Sequence, residues 1–298
     1  MLKAQAAAQR FRFGKIIGML DFFVMLLLGV LGLSLGLLGG LLGIGGGVIV
    51  MPVLILVFNL DARTAVGTSL VMVLFTALSG TTAYYRQKRV DWKTGMFGAL
   101  ATVPGAVIGG YLTSFFTSRS ITIIFGFILL FMSVMMLRRS FRRSTNHEMR
   151  SATYYLEEAG PKERGKRIIV DSAGNVYQYR ARMNLAIPLL FLGGLCSGFL
   201  GIGGGIVVVP ILATIGLPMQ LAVATSMFTM IFTSISGLST HILLGNVRIE
   251  YFVPIIIGAI LGAQGGARVA RLLKSTTLER VFAVFLIGMS VLLILTRM

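Results

Sequence analysis

Acidic residues are scarce in this sequence, and charge of either sign is thin. Ten Asp and Glu stand against 27 Lys and Arg in 298 residues, and charged residues make up only 12%. A soluble globule carries roughly twice that share on its surface. An ordinary cytosolic enzyme, a coiled coil and a disordered chain are therefore excluded. The single cysteine, Cys196, rules out an internal disulfide and a cysteine-based metal cluster. Two histidines, His147 and His241, are too few for a histidine-rich metal site. No Walker motif occurs, so ATP hydrolysis is not expected, and no cofactor is expected either. What is abundant is apolar: 56% hydrophobic residues and a mean hydropathy of +0.88. These values describe a polytopic helical membrane protein.

The net charge of +17 does not point to nucleic acid. The basic residues flank apolar spans, which is the usual orienting signal of membrane proteins. Residues 1–20 form a basic segment. Residues 22–60 then run without a charge, about twice the length of one span, and Gly39, Gly40, Gly43 and Gly45–Gly47 break the run. Serial glycines oppose helix by about 1 kcal/mol each. This predicts two helices joined by a break, the second too short to span. Further spans are expected at about 64–85, 94–115, 120–137, 184–200, 206–216, 218–243, 251–267 and 277–296. A first transmembrane repeat is thus expected over 21–137, a hydrophilic loop over 138–183 and a second repeat over 184–298. Residues 138–182 hold eleven of the bases and five of the acids. Within them, Arg167–Asp171 and Val176–Tyr179 around Ser-Ala-Gly-Asn predict a β-hairpin. A cleaved signal peptide over 22–38 is not expected, because no Ala-x-Ala site follows and the glycine pattern recurs.

The second half repeats the first. Gly43-Ile-Gly-Gly-Gly-Val-Ile-Val-Met-Pro52 matches Gly201-Ile-Gly-Gly-Gly-Ile-Val-Val-Val-Pro210. After one deletion, Thr68-Ser69 matches Thr225-Ser226, Thr76 and Ser79-Gly80 match Thr233 and Ser236-Gly237, and Gly105-Ala106 matches Gly262-Ala263. The basic loop changes place between the halves. Arg86-Gln-Lys-Arg89 corresponds to a loop with Arg248 alone, whereas the loop holding only Arg119 corresponds to Arg268, Arg271 and Lys274. Under the positive-inside rule the halves face opposite ways. Total charge counts do not separate inverted from parallel repeats, so the swapped loops carry the inference. The 138–182 loop is cytoplasmic in either case. Inversion puts both termini on the opposite face.

A broken helix in the bilayer frees backbone N–H groups at the next helix start, where the helix dipole also attracts anions. Inverted breaks would bring two such ends together near the midplane. Close helix packing by small residues is the plainer alternative. A dinucleotide fingerprint fails, since no acid lies about 20 positions on. The hydroxyls of Thr68, Ser69, Thr225 and Ser226 could donate to an anion, or bond backbone carbonyls. Gln264, deep in a span, needs a partner, and His241 near a span end is a candidate proton-linked group. Asp21, Asp61, Asp91, Glu250 and Glu279 all fall at span edges. A cation carrier would want a mid-span carboxylate; an anion pathway would not.

The duplicated Gly-x-Gly-Gly-Gly-(x)4-Pro pattern at 43–52 and 201–210, with Thr-Ser following in each half, resembles the TauE/SafE sulfite exporter family. The resemblance spans nearly the whole chain except 1–20 and 138–182. It implies a secondary transporter of small sulfur-containing anions: sulfite, thiosulfate, or organosulfonates such as sulfoacetate. A passive anion channel and a carrier of other small organic anions are the alternatives; an enzyme is not expected. The expected fold is an all-α polytopic membrane protein of two inverted repeats, each a glycine-broken helix pair plus three full helices, with a loop insertion carrying the hairpin. The expected binding residues are Gly45, Gly46, Gly47, Thr68, Ser69, Gly203, Gly204, Gly205, Thr225, Ser226 and Gln264, with no metal. The expected partners are a small anionic substrate and the lipid bilayer of the inner cell membrane, with a homodimer as candidate assembly.

Overall fold

Long apolar stretches without internal charge become helices because only a helix satisfies its own backbone in lipid. In the computed structural model, the described residues are 25–56, 58, 60–144, 166–181, 183–248 and 253–273, with 277, 280–281, 283–288 and 290–291 beyond them. The first half is α1 (Met25–Leu42), α2 (Gly47–Leu56), α3 (Ala62–Arg86), α4 (Trp92–Leu112) and α5 (Ser118–Ser144). The hairpin follows, β1 (Lys166–Val170) paired antiparallel with β2 (Val176–Arg180), in register Arg167 to Tyr179 and Val170 to Val176. The second half is α6 (Met183–Leu200), α7 (Gly205–Thr214), α8 (Met219–Leu243) and α9 (Val253–Leu272). The described residues between 283 and 288 are helical again. The expected all-α membrane architecture and the hairpin are both present. Helix α5 runs several residues past the expected end at 137. The basic segment 1–20 and both termini lie outside the described residues.

Six helices among the described residues, α1, α3, α4, α5, α8 and α9, are long and apolar enough to cross a bilayer. The glycine-broken pairs are re-entrant hairpins. Gly204 faces Ser197, and Gly193 faces Val207, Val208 and Ile211, so α7 folds back along α6. In the first half Gly46 likewise lies against Leu35 and Gly39. A pair that turns back adds no net crossing to its half, so the parity that inversion requires is unchanged. The central helices show the inversion directly. The loop after α3 reaches the start of α8, where Asp91 N–H donates to Thr225 Oγ1 (3.1 Å). The loop after α8 reaches the start of α3, where Arg248 N–H donates to Thr68 Oγ1 (3.1 Å). Equivalent helices α3 and α8 thus run antiparallel.

The halves also interlock through small residues. A Cβ on Gly36 or Gly40 of α1 would stand 2.2 or 2.4 Å from the carbonyl oxygen of Ala259 or Ala263 in α9. The repeat-equivalent residues Gly194 and Gly198 of α6 meet Thr102 and Ala106 of α4 at 2.1 and 2.0 Å. Backbones this close gain dispersion contacts that larger residues would prevent, which is the main source of helix association in lipid. The result is a central antiparallel pair, α3 and α8, flanked by the two re-entrant hairpins.

Candidate transport site

Six break glycines adopt positive φ: Gly43, Gly45 and Gly46 at 73, 68 and 76°, and Gly201, Gly203 and Gly204 at 69, 65 and 89°. A side chain in that region costs about 1–2 kcal/mol, which explains the pattern Gly-Ile-Gly-Gly in both halves. The reversal ends α1 and α6, and starts α2 at Gly47 and α7 at Gly205. Among the described residues, the first two amides of each short helix make no backbone hydrogen bond, whereas Ile49 and Val207 N–H already donate to Gly46 O and Gly204 O. The breaks touch. A Cβ on Gly47 would lie 3.0 Å from Gly201 O, and one on Gly205 would lie 2.5 Å from Gly43 O. Val73 of α3 and its repeat equivalent Met230 of α8 fill the crossing. Val73 packs on Gly45, Gly47 and Gly203, and Met230 packs on Gly45 and Gly205. The nearest neighbours of the break glycines are backbone, apolar side chains and serine hydroxyls. The arrangement is closed: Ile44 and Ile202 at the break tips are fully buried.

The Thr-Ser pairs hold this crossing together across the halves. Ser69 Oγ lies 2.6 Å from Gly201 O, and Ser226 Oγ lies 2.8 Å from Gly43 O; each hydroxyl also reaches its own helix, at Val66 O and Val223 O. Each serine thus satisfies a carbonyl that the opposite break leaves without a helical partner. Thr68 and Thr225 receive the loop amides of Arg248 and Asp91. All four residues are fully buried. They stand beside the breaks as expected, but the serine protons and the threonine lone pairs are engaged by the protein. Gln264 stands elsewhere, in a pocket with Arg86, Arg268 and Arg271 at the end of α9.

Two hydroxyls the sequence reading passed over are free. Ser197 and Ser234 are fully buried and their Oγ atoms have no hydrogen-bond partner. They flank the second break: a Cβ on Gly203 would lie 3.2 Å from Ser234 Oγ, and one on Gly204 would lie 3.6 Å from Ser197 Oγ. Their repeat equivalents are Gly39 and Ala77. Matching the halves for identity hides such positions; reading the repeat for its differences would have found them. His241 is explained by the same comparison. Its Nε2 lies 2.9 Å from Gly198 O, as the equivalent Tyr84 hydroxyl donates to Gly40 O at 2.7 Å. Both tie α8 or α3 to the re-entrant helix. His241 Nδ1 is buried without a partner. Cys196 is half-buried and unpaired. Among the described residues no three His, Cys, Asp or Glu converge to hold a metal.

The β-hairpin is clasped to one face of the bundle. Arg89 Nε and Nη2 donate to Asp171 Oδ2 at 3.0 and 2.7 Å, with both side chains almost wholly buried, and the Arg89 guanidinium lies over the Tyr177 ring. Ser172 N–H donates to Gln87 O. Arg167 pairs with Asp91 at 2.7 Å, and Tyr179 OH also donates to Asp91. Burial alone would raise the Asp171 pKa. Hydrogen bonds from Asn175, Arg89 and Ala173 outweigh it and hold the carboxyl at about 2. Asp91 is likewise lowered, as bonds from Thr94, Tyr179 and Arg167 overcome its burial. Burial, together with Asp91 beside it, pushes Tyr179 up. Asp91, expected at a span edge, and Asp171, in the hydrophilic loop, together anchor the hairpin.

Two inverted repeats whose re-entrant hairpins meet tip to tip inside a membrane bundle define the class: a multi-pass membrane transporter. The chain belongs to the TauE/SafE family, since the model of the family described as sulfite exporter TauE/SafE matches residues 28–293. It is 32% identical over 230 residues, 77% of this chain and 80% of the relative, to the probable membrane transporter protein YunE of Bacillus subtilis. It is 27% identical over 239 residues, 80% of this chain and 86% of the relative, to the probable membrane transporter protein YdhB of the same organism. A shorter stretch of 75 residues, 24% of this chain and 18% of the relative, is 36% identical to Sulfite exporter TauE/SafE family protein 6 of Arabidopsis thaliana. No solved structure matches the chain significantly.

Proposed function

We propose that this transporter carries small sulfur-containing anions, of the sulfite, thiosulfate or organosulfonate class, by alternating access at the crossing of the two breaks. The observation that carries the reading is the second break. There, the buried hydroxyls of Ser197 and Ser234, without partners, flank Gly204 and Gly203 directly before the first amides of α7. Donors without formal charge bind an anion moderately, which lets it leave again. Hydrogen bonds to a charged group contribute about 1.5–3 kcal/mol each. The family's description as sulfite exporters supports the substrate class. Glycine-rich tips and the apolar Val73 and Met230 between them can open toward either face without moving a buried charge, which favours a carrier over a passive channel. The hairpin face is cytoplasmic in the inner cell membrane, because Arg86, Lys88, Arg89, Lys93, Arg268 and Arg271 gather there against Arg63, Arg119 and Arg248 on the far face. The test is counterflow in proteoliposomes. Sulfite, thiosulfate, sulfoacetate and taurine are each loaded inside, and uphill uptake of a labelled sulfur anion is followed. Uptake driven by an opposite gradient supports the reading. Downhill leak without exchange marks a channel, and exchange only with carboxylates moves the substrate class.

A further inference from the structure

Away from the crossing, three arginines converge with no acid to meet them. Arg86 at the end of α3, Arg268 and Arg271 at the end of α9, Gln264, Thr82 and the hairpin's Ser172 line a pocket of about 370 Å³. Among the described residues none of the three guanidiniums has an ion-pair partner, whereas Arg89 and Arg167 on the same face are both paired. Three exposed like charges brought together repel one another, so the cluster calls for an anion. Arginine presents forked donors suited to phosphate oxygens.

The height of the pocket says where that anion comes from. Tyr85, beside Arg86 at the end of α3, and Trp92, at the start of α4, are both exposed and in edge-to-face contact at 5.6 Å. Exposed tyrosine and tryptophan mark the headgroup level of a bilayer. Below the pocket, toward the membrane centre, α3 and α9 run side by side, with Ser79 bonding Ile260 O and Gln87 bonding Ala267 O. Phe75 and Leu78 continue the stripe of Thr82 and Arg86 on α3. Ile257 and Leu261 continue that of Gln264 and Arg268 on α9, and all four are exposed. Nothing lies within 4 Å of a Cβ built on Gly265. A phosphate in the pocket would thus have an apolar furrow directly beneath it, as an acyl chain needs.

We propose that this pocket binds the phosphate group of an anionic phospholipid, with its chains in the α3–α9 furrow. By touching α3, α9 and Ser172 at once, the lipid braces the hairpin against the bundle. This proposal does not depend on the transported substrate. Its test uses the full chain in nanodiscs of phosphatidylcholine alone or with one quarter phosphatidylglycerol. Bound lipid is counted by native mass spectrometry, and hydrogen exchange is read at Ser172. Wild type should retain phosphatidylglycerol selectively and slow exchange at Ser172. The loss should be about fivefold in affinity for Arg86→Gln and roughly 25-fold for Arg268→Gln/Arg271→Gln, following the usual contribution of a base near an anionic surface. Arg268→Lys/Arg271→Lys should retain most of the binding, and all variants should melt as wild type does in phosphatidylcholine. Protection by inorganic phosphate alone, with no preference for phosphatidylglycerol, would overturn the lipid source. Displacement of the lipid by sulfite at its transport concentration would also overturn it, by making the pocket an entrance for substrate. Equal lipid retention by wild type and the double glutamine variant would overturn the site itself.

Discussion

Arg89→Gln should undock the β-hairpin while leaving it folded. The wild-type guanidinium makes two bonds to Asp171 Oδ2 with both side chains nearly inaccessible. Removing one member of a buried pair costs about 3–5 kcal/mol when the other stays buried. Here the hairpin can lift and let water reach Asp171, so the effect is limited to what docking contributes. The pKa gives a second measure. Asp171 falls from 3.8 to about 2 in the folded chain. At about 1.4 kcal/mol per unit, discounted for solvent screening, that is about 2 kcal/mol, of which Arg89 supplies a share beside Asn175 and Ala173. An effect of about 2 kcal/mol, roughly 30-fold in local opening, follows. The assay is hydrogen exchange at two kinds of amide. Ser172 N–H bonds Gln87 O and reports docking, whereas the β1–β2 ladder amides report the hairpin itself. Because the folded pKa is depressed, the stabilisation is full above pH 3.8 and is lost as pH falls through about 2. In Arg89→Gln the loss should begin at higher pH, as Asp171 regains a more ordinary pKa. Unchanged exchange at Ser172, or an equal rise at Ser172 and in the ladder, would refute the clasp.

Other outcomes follow from the crossing. Ser197→Ala and Ser234→Ala should each weaken substrate binding by about 1–2 kcal/mol with no loss of thermal stability, because neither hydroxyl has a protein partner to lose; calorimetry and melting curves check both halves of this statement. Ser69→Ala and Ser226→Ala should instead lower the melting temperature, since each leaves a buried break carbonyl unbonded. Gly203→Ala should be worse than Gly204→Ala for transport, because its Cβ would stand 2.1 Å from Val73 Cγ1 rather than 3.4 Å from Ser197 Cβ; Gly46→Leu and Gly204→Leu should insert normally and transport nothing. His241→Gln keeps a donor for Gly198 O and should leave the pH profile of transport unchanged; a flattened profile between pH 5 and 8 would make His241 proton-linked instead.

The sequence by itself determined the membrane class, the repeat and its inversion. These are written in quantities that need no neighbour: charge per length, glycines at fixed spacing, and basic loops that change sides. The TauE/SafE motif and the hairpin over 167–179 were legible for the same reason. Tertiary structure alone decided what the polar residues do. Along the chain Thr68, Ser69, Thr225 and Ser226 were equally suited to an anion or a backbone partner, but the opposite half brings them carbonyls and amides from more than 130 positions away. Ser197 and Ser234 looked ordinary, and are distinguished only by having nothing to bond in a buried place. Asp91 was placed at a span edge and Asp171 in the loop, yet their roles required Arg167 and Arg89 from distant segments. Whether the glycine-broken pair crosses or turns back was likewise beyond the chain, because positive φ at three glycines permits a reversal without specifying its direction. A hydrogen bond belongs to two groups, and sequence spacing states only one of them.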